Sequence, residues 1–222
     1  MPKFVVEFGK AANPAEPDGR LDAPAFHRNH DAIWTAIAGR LGETSGDVLE
    51  IGSGTGQHAV TFASQLASIT WWPTDFNGNH VRSIEAWRVH SGLGNVKPPI
   101  RFDASAADWK LVQQGLPSTF TAIFCANVIH ISPWAVAEGL FAGAGRHLEP
   151  GGLLLLYGPF KRNGAHNAPS NAAFDESLRT RDPSWGVRDT SDLRALAERN
   201  NLRFVRLDEM PSNNAIMIFQ RA

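Results

Sequence analysis

The sequence predicts an α/β protein with a seven-stranded, mostly parallel sheet that ends in an antiparallel hairpin. Short apolar runs alternate with segments of helical periodicity, which is typical of a parallel sheet covered on both faces. A glycine-rich loop separates the first predicted strand from the helix that follows it. Near the C-terminus, only Pro211, Ser212 and Asn213 separate two strand-like runs, so no crossover helix fits and the two runs must pair antiparallel.

The composition is that of an ordinary globular protein and limits the classes of function. The chain has 222 residues, which suits one domain, and 43% of them are hydrophobic. A formal net charge of -1 gives no long-range attraction to nucleic acid or to an anionic membrane, so neither is an expected partner. Cys125 is the single cysteine, and the N-terminus lacks the apolar core of a secretory signal. Both features favour a reducing, cytoplasmic location.

The chain is predicted to form an irregular N-terminal arm, residues 1–22, followed by one domain, residues 23–222. A helix opens the domain, with a cap at Asn29 or Asp31 and an end at Gly42. Its apolar residues share one face: Ile33, Trp34, Ile37, Ala38 and Leu41.

Strands and helices then alternate along the chain. Five runs are predicted strands: residues 48–51, 68–73, 100–103, 120–125 and 152–158. A polar helix or turn is expected after the third strand. Ser132 and Pro133 are the expected N-cap and first residue of a helix that runs to about Leu148. A helix near residues 191–200 precedes the terminal hairpin.

Residues 159–189 interrupt this alternation and are predicted to form an insert. A connection of about thirty residues in a compact domain is usually functional or disordered, and the aromatic residues of this one argue against disorder. A short helix is expected near residues 171–178. We predict that the insert is a lid or a substrate-recognition element at the carboxyl edge of the sheet.

The loop after the first predicted strand reads DVLEIGSGTGQHAV from Asp47 to Val60. A loop between a strand and a helix N-terminus points backbone N–H groups at a ligand, and glycine lets that ligand approach closely. Dinucleotide-binding loops follow the pattern G-x-G-x-x-G/A, but Gln57 stands at the third small position counted from Gly52. An NAD(P)-linked oxidoreductase is therefore the disfavoured alternative among enzymes.

The pattern that fits the loop is acidic-x-G-x-G-x-G, formed by Glu50, Gly52, Gly54 and Gly56, with Ser53 inside it. It resembles the first motif of class I S-adenosylmethionine-dependent methyltransferases. The resemblance implies a Rossmann-like class I methyltransferase fold and S-adenosyl-L-methionine as cofactor, with S-adenosyl-L-homocysteine as product. This cofactor has no pyrophosphate but carries a cationic amine, for which the acidic side chain of Glu50 is useful. A glycine-rich turn without a ligand is the simpler alternative.

Polar residues at the ends of later strands extend the predicted cofactor cleft. Asp75 follows the second strand, where a carboxylate accepts hydrogen bonds from ribose hydroxyls. Asp103 ends the third strand, where this fold commonly contacts the adenine amine, and Asn127 after the fourth strand is expected to hold the methionine moiety. Each aspartate alone would more often be a solvated turn residue, but in series they indicate one cleft.

Six longer stretches resemble the methyltransferase-like protein 26 family, a domain-of-unknown-function family of presumed methyltransferases. They are APAFHRN, LEIGSGTGQHA, WWPTD, ANVIHISPW, YGPFKRNGAHNAPSNAAFDESLRTRDPSWGVRD and EMPSNNAIMIF. The resemblance covers about residues 22–221 and implies cofactor binding through the glycine loop and Asp75, without naming an acceptor. The pair Arg28 and Asn29 matches the family pattern, and we assign Asn29 to the cofactor and Arg28 to the acceptor.

Two residues are candidates for chemistry at the acceptor. His130 lies where the acceptor site of this fold usually begins, and an ordinary histidine pKa near neutrality would suit a base. Tyr157, the only tyrosine, ends the fifth strand at the same edge. The structural alternatives are that His130 packs under the insert and that Tyr157 packs against the core.

The insert is expected to surround the acceptor. Its predicted substrate-binding residues are His166, Asn171, Arg179, Trp185 and Arg188, and three further residues of the insert could also surround the acceptor: Asp175, Arg181 and Asp182. From Lys161 to Arg188 there are five Lys/Arg and three Asp/Glu, which mildly favours an anionic acceptor such as a carboxylate. Solvated or mutually paired charges are the simpler explanation of this balance.

The leading hypothesis is S-adenosylmethionine-dependent methyl transfer to an unidentified small-molecule acceptor. No metal site is predicted, since no H-x-x-x-H or C-x-x-C spacing occurs. His58 is expected to be exposed on the first turn after the glycine loop. A non-catalytic methyltransferase fold that serves as a binding or scaffold protein is the third hypothesis, and it predicts losses in the cofactor motif that this sequence does not show.

Overall fold

The computed structural model describes residues 16–222. Residues 1–15, most of the predicted arm, lie outside the described part. The remainder of the arm packs against the body, since Leu21 accepts a hydrogen bond from the Trp87 indole and donates one to the Ser83 hydroxyl.

Ten strands and six helices make up the described chain. The strands are β1 Gly46–Ile51, β2 Ile69–Asp75, β3 Ile100–Arg101, β4 Phe120–Ala126, β5 Leu148–Gly158, β6 Phe160–Arg162, β7 Ala165–His166, β8 Arg188–Asp189, β9 Leu202–Met210 and β10 Asn214–Arg221. The helices are α1 Pro24–Leu41, α2 Gln57–Ala63, α3 Gly78–Ser91, α4 Trp134–His147, α5 Pro169–Arg181 and α6 Thr190–Glu198. Short 3-10 turns occur at Val112–Gln114 and Pro211–Asn213.

The main sheet has seven strands in the order β3-β2-β1-β4-β5-β10-β9, which confirms the predicted fold class. The five strands from β3 to β5 are parallel, because a helix or a longer segment returns the chain after each of them. Strand β10 pairs antiparallel with both β5 and β9, so the predicted C-terminal hairpin lies at one edge.

Two helices begin at residues other than the predicted ones, because prolines determine how they start. Helix α1 begins at Pro24, whose fixed φ suits the first helical turn, so Asn29 lies inside the helix and is buried instead of capping it. Helix α4 begins at Trp134, with Pro133 rather than Ser132 at the N-cap position. The Ser132 hydroxyl donates to the Val128 carbonyl instead.

Strand lengths also differ from the prediction at two places. Strand β3 is only two residues long, and of the helix or turn expected after it, the structure has a short 3-10 turn at Val112–Gln114. Strand β5 starts at Leu148, before the predicted turn, because Phe120 pairs with Leu148 and a register shift then restores the pairing of β4 with Leu153.

The core lies on both faces of the main sheet, because successive residues of a strand point to opposite sides. On one face, β1 and β4 contribute residues such as Leu49 and Ile123, which pack under α4 and α6. On the other face, Trp71 and Phe124 pack with α1 and α2. The sheet is therefore covered by helices on both sides, as an α/β fold requires.

Residues 159–189, here called the lid, form a substructure of their own. Strand β6 pairs antiparallel with β7 and parallel with β8, and α5 lies between β7 and β8 in the chain. Helix α5 includes the short helix that the sequence predicts, whereas the small sheet was not predicted. None of the helices formed by residues 16–222 is long and apolar enough to cross a membrane.

Glycine substitutions in two helices test how tightly the core is packed. A Cβ at Gly143 of α4 would overlap the buried Trp109 ring, whereas Gly39 of α1 has open space around it. We expect Gly143→Ala to lower the free energy of unfolding by about 1–3 kcal/mol through overpacking. Gly39→Ala is the matched control and is expected to be neutral or to stabilise by up to about 1 kcal/mol through helix propensity. Urea denaturation measures both, and equal effects would contradict the packing of α4 on Trp109.

Candidate active site

A cavity of about 520 Å³ opens at the carboxyl edge of the main sheet. The glycine loop and the ends of β2, β4 and β5 line it from the body, and helices α1 and α5 add side walls. Its volume lies in the range of pockets that bind small molecules and cofactors. The carboxyl ends of parallel strands are where such ligands bind in open α/β sheets.

The glycine loop adopts a backbone path that strongly favours glycine. Gly52, Gly54 and Gly56 have φ angles of 70°, 59° and 95°, in the left-handed region. Gly52, Ser53 and Gly54 line the cavity, while Gly56 is buried behind it as the residue before α2. A Cβ at Gly56 would lie 2.8 Å from the Cα of Ile84, so the loop is seated directly on α3.

The Asp75 carboxylate is held firmly at the cavity wall. Its Oδ2 accepts a hydrogen bond of 2.9 Å from the Gly54 N–H. Its Oδ1 accepts one of 2.8 Å from the Asn77 N–H and lies 3.1 Å from Nδ1 of His80. Carboxylate oxygens have further lone pairs, so Asp75 can still accept hydrogen bonds from a ligand.

Two further predicted cofactor residues line the same cavity. Asp103 is exposed, and its Oδ1 accepts hydrogen bonds from the N–H and hydroxyl of Ser105. Asn127 has a left-handed φ of 59°, a conformation that asparagine tolerates better than most residues. Its N–H donates to the Tyr157 carbonyl, which fixes the start of residues 127–133, here called the β4 loop.

Glu50 lies beneath the cavity instead of lining it. Its side chain is 2% exposed, and its Oε2 accepts a 2.9 Å hydrogen bond from the Trp71 indole. Burial raises the pKa of Glu50 to about 7. Glu50 therefore does not reach the cavity, and the structure does not place it in contact with the amine of a bound cofactor.

His130 faces the cavity from the β4 loop as a buried, neutral imidazole. It is 4% exposed, and its ring meets that of Phe174 edge-on at 5.6 Å between centroids. Burial, and secondarily the positive charge of Arg188, lowers the pKa of His130 to about 3. The pKa near neutrality that the sequence led us to expect for His130 is therefore wrong. The uncharged ring can accept a hydrogen bond, but it is poorly suited to take up a proton.

Tyr157 belongs to a hydrogen-bonded cluster at the end of β5. Burial raises its pKa, while side-chain hydrogen bonds from Asn29 and Asn214 and the charge of Arg28 act in the opposite direction. The phenol thus stays protonated at neutral pH. Arg28, Asn29, Tyr157 and Asn214 all line the cavity.

His58 joins this cluster, which the sequence did not predict. Its Nε2 lies 2.9 Å from Oδ1 of Asn29, and its ring stacks on Phe62 and meets Phe26 edge-on. The expectation of an exposed residue is wrong because α1 covers the first turn of α2. Burial lowers the pKa of His58 to about 4. The i, i+4 spacing of His58 and Phe62 was the available signal.

A buried carboxylate organises the lid. Asp175 accepts from Nζ of Lys161 at 2.7 Å and from the N–H of Val187 at 2.7 Å. His166 Nε2 and Arg179 Nε each lie 3.3 Å from its oxygens. Although burial raises the pKa of Asp175, these bonds and charges hold it below its usual value.

The lid therefore uses most of its predicted substrate-binding residues for its own structure. His166 and Arg179 bind Asp175, Trp185 is buried, and none of the three lines the cavity. Arg188 donates to the Ile129 and Ser132 carbonyls of the β4 loop and does not line the cavity either. The structure therefore does not bring these four residues to the cavity, and their visible contacts are within the lid or to the β4 loop.

Helix α5 instead presents one face to the cavity. The residues on that face recur at helical spacing: Asn171, Phe174, Leu178 and Arg181. Of the residues predicted in the lid, Asn171 and Arg181 are among them, and the Asn171 amide also donates to the Asn213 carbonyl at 2.8 Å. Among residues 16–222, no group of three His, Cys, Asp or Glu side chains is arranged to hold a metal ion.

Comparisons with known proteins agree with this architecture. A family model described as "Protein of unknown function (DUF938)" matches residues 20–221. The S-adenosylmethionine-dependent methyltransferase SibL superposes with a TM-score of 0.70 at 17% identity, over 89% of this chain and 55% of that chain. CalO1, a methyltransferase of calicheamicin biosynthesis described with bound SAH, superposes with a TM-score of 0.65 at 16% identity, over 88% of this chain and 55% of that chain.

A third structure is more similar in length. The putative sarcosine dimethylglycine methyltransferase from Galdieria sulphuraria gives a TM-score of 0.69 at 14% identity, over 93% of this chain and 91% of that chain. The chain thus spans little more than half the length of SibL and CalO1 but nearly all of the Galdieria protein. At these identities the likeness shows the fold, which is that of class I methyltransferases.

Removing the charge of Asp175 should loosen the lid. In Asp175→Asn, three basic side chains lose their shared partner, and we expect the free energy of unfolding to fall by about 2 kcal/mol, less than for a fully buried pair because Arg179 is half exposed. Hydrogen exchange should rise within residues 159–189 first. The control is Glu176→Gln, an exposed neighbour on α5. Equal exchange in both variants would contradict the role of Asp175.

The lowered pKa of His130 predicts a pH dependence of stability. The histidine takes up a proton below pH 6.5 when unfolded but only near pH 3 when folded, so its contribution is present above pH 6.5 and is lost as the pH falls. Below pH 6.5, the free energy of unfolding of wild type should therefore fall relative to that of His130→Gln. The expected fall is about 1.4 kcal/mol per pH unit.

Urea denaturation at pH 7, 6 and 5 checks this dependence. The raised pKa of Glu50 acts in the opposite sense, but it is common to both proteins and cancels in the difference. The exposed His90 provides the control variant His90→Gln, which should follow wild type. A pH-independent difference between wild type and His130→Gln would show that His130 is not held neutral by burial.

Proposed function

We propose that this chain, which belongs to the DUF938 family and has a class I methyltransferase fold, transfers a methyl group from S-adenosylmethionine to a small-molecule acceptor. The family model matches residues 20–221. The observation that carries the proposal is one continuous cavity. The glycine loop and Asp75 line one part of it, and His130 and Tyr157 line another. We also propose, on the sequence resemblance described above, that the chain is related to the methyltransferase-like protein 26 family.

The residues of the cofactor part fit an adenosyl group with an attached amino acid. Gly52 and Gly54 leave the backbone open at the cavity, and Asp75 offers free lone pairs for ribose hydroxyls. Asp103 is the proposed contact of the adenine amine, while Ser53, Asn127 and Asn29 are the proposed contacts of the methionine part. When bound, S-adenosylmethionine supplies an activated methyl group on a sulfonium.

The chain's own contribution to the reaction is positioning of the acceptor. Methyl transfer is an in-line displacement, and much of its rate comes from holding the nucleophile close and aligned. The neutral His130 accepts a hydrogen bond from the acceptor's O–H or N–H and so orients the nucleophilic lone pair. Phe174 and Leu178 of the lid exclude water from the same part of the cavity.

Calorimetric titration with S-adenosylmethionine, S-adenosylhomocysteine and NADH tests the proposed cofactor. We expect binding of the first two alone. Asp75→Asn should weaken that binding by about ten- to a hundredfold, because ribose hydroxyls lose a charged acceptor. Asp108→Asn, at an exposed residue outside the cavity, is the control for net charge.

Unfolding curves of both variants show whether the glycine loop survives the change, since Asp75 also holds Gly54. Binding of NADH alone, or unchanged affinity in a folded Asp75→Asn protein, would refute the assignment.

A further inference from the structure

Hydrogen-bonding side chains gather at the Tyr157 end of the cavity. Oδ1 of Asn29 can only accept, so the Nε2–H of His58 donates to it across 2.9 Å. Asn29, Tyr157 and Asn214 all line the cavity, and side-chain hydrogen bonds from Asn29 and Asn214 act to lower the pKa of Tyr157. Because an amide N–H donates, these bonds leave the phenol O–H of Tyr157 able to donate to a ligand.

A cation lines the same cavity. Arg28 lies directly before Asn29 on α1 and is exposed, and its positive charge acts to lower the pKa of Tyr157. Among the described residues it is in no ion pair within 4.0 Å, unlike Arg179 of the lid, which binds Asp175. A guanidinium next to a hydroxyl donor is a complementary pair for an anionic oxygen.

The same end of the cavity lacks negative charge. Asp75 and Asp103 are the carboxylates that line the cavity in the described chain, and both lie at the ends of β2 and β3. The two nearby histidines, His58 and His130, are kept neutral by burial. Among residues 16–222, no carboxylate other than Asp75 and Asp103 therefore lines the cavity with Arg28.

A carboxylate ligand here has two possible sources, the methionine part of the cofactor and the acceptor. Asn127, a proposed contact of the methionine part, follows β4, which lies between the glycine loop of β1 and the Tyr157 end of β5, so a methionine part held by Ser53 and Asn127 ends one strand before Tyr157. That separation favours the acceptor. Arg181, the other arginine that lines the cavity in the described chain, ends α5 about 15 Å along the helix from Asn171. One guanidinium and one neutral hydroxyl therefore remain at the Tyr157 end, and they match a monoanion better than a doubly charged phosphate.

We propose that Arg28 and Tyr157 bind the carboxylate of the methyl acceptor, which makes the substrate class small organic acids. The apolar walls formed by Phe26, Phe174 and Leu178 fit a ring-sized body on such an acid. This inference rests on the proposed methyl transfer and names the class of its acceptor. His58, Asn29 and Asn214 are positioning residues that orient the Tyr157 hydroxyl.

Matched ligand pairs test the proposal on the full chain loaded with S-adenosylhomocysteine. The probes are 4-hydroxybenzoate and anthranilate, each compared with its neutral carboxamide by ligand-detected NMR and calorimetry. We expect the acids to bind about ten- to a hundredfold more tightly than the amides, as a charge-assisted hydrogen bond predicts. Arg28→Gln should abolish that preference, and Tyr157→Phe should reduce it by a smaller factor.

The control is Arg40→Gln on the same helix, since Arg40 bonds the Ala36 carbonyl and does not line the cavity. It should bind both acids as wild type does. Equal binding of acids and amides by wild type, or no binding of either acid, would overturn the proposal. Weaker S-adenosylhomocysteine binding by Arg28→Gln with an unchanged preference for acids would assign the carboxylate to the cofactor and overturn it too.

The cofactor titration separates this failure from failure of the proposed function. If wild type binds neither S-adenosylmethionine nor S-adenosylhomocysteine, methyl transfer fails. An Arg28-dependent preference for acids measured on the ligand-free chain would then still establish the carboxylate site.

Discussion

The glycine loop can follow its path only because Gly52 and Gly56 have no side chains. A Cβ at Gly56 would meet the backbone of α3, and a Cβ at Gly52 would lie 2.5 Å from a methyl group of Val128. The loop is thus confined between α3 and the β4 loop. Its position places the Gly54 N–H on Asp75 and directs the first turn of α2, with His58, towards Asn29. Both parts of the cavity depend on this one steric constraint.

The order of the strands separates the carboxylates of the cavity from its cationic and neutral polar groups. Carboxylates follow β2 and β3, while neutral donors and the cation Arg28 gather around the end of β5. Because the parallel strands all point their carboxyl ends to one edge, these groups share a single cavity despite their distance in the chain. The lid then covers the part of the cavity lined by His130 with Phe174 and Leu178 of α5.

The fold was predictable from the sequence because its signals are local. The alternation of apolar runs with helical spacing indicated the parallel strands, and the short link at Pro211 left only an antiparallel hairpin. The roles of Asn29, His58 and the lid charges were not predictable in this way. Asn29 resembled a helix cap until Pro24 was seen to start α1, and burial of His58 depends on rings from another helix. Asp175 selects its basic partners by three-dimensional proximity that spacing does not encode.

The lid is attached to the body largely through backbone acceptors. Arg188 donates to the Ile129 and Ser132 carbonyls, the Gly186 N–H donates to the His130 carbonyl, and Asn171 donates to that of Asn213. Every residue type provides the same carbonyl group, so these contacts do not constrain which side chains the β4 loop carries. The cavity-facing side chains of that loop can therefore be exchanged, and the shape of the cavity altered, while the lid stays in place.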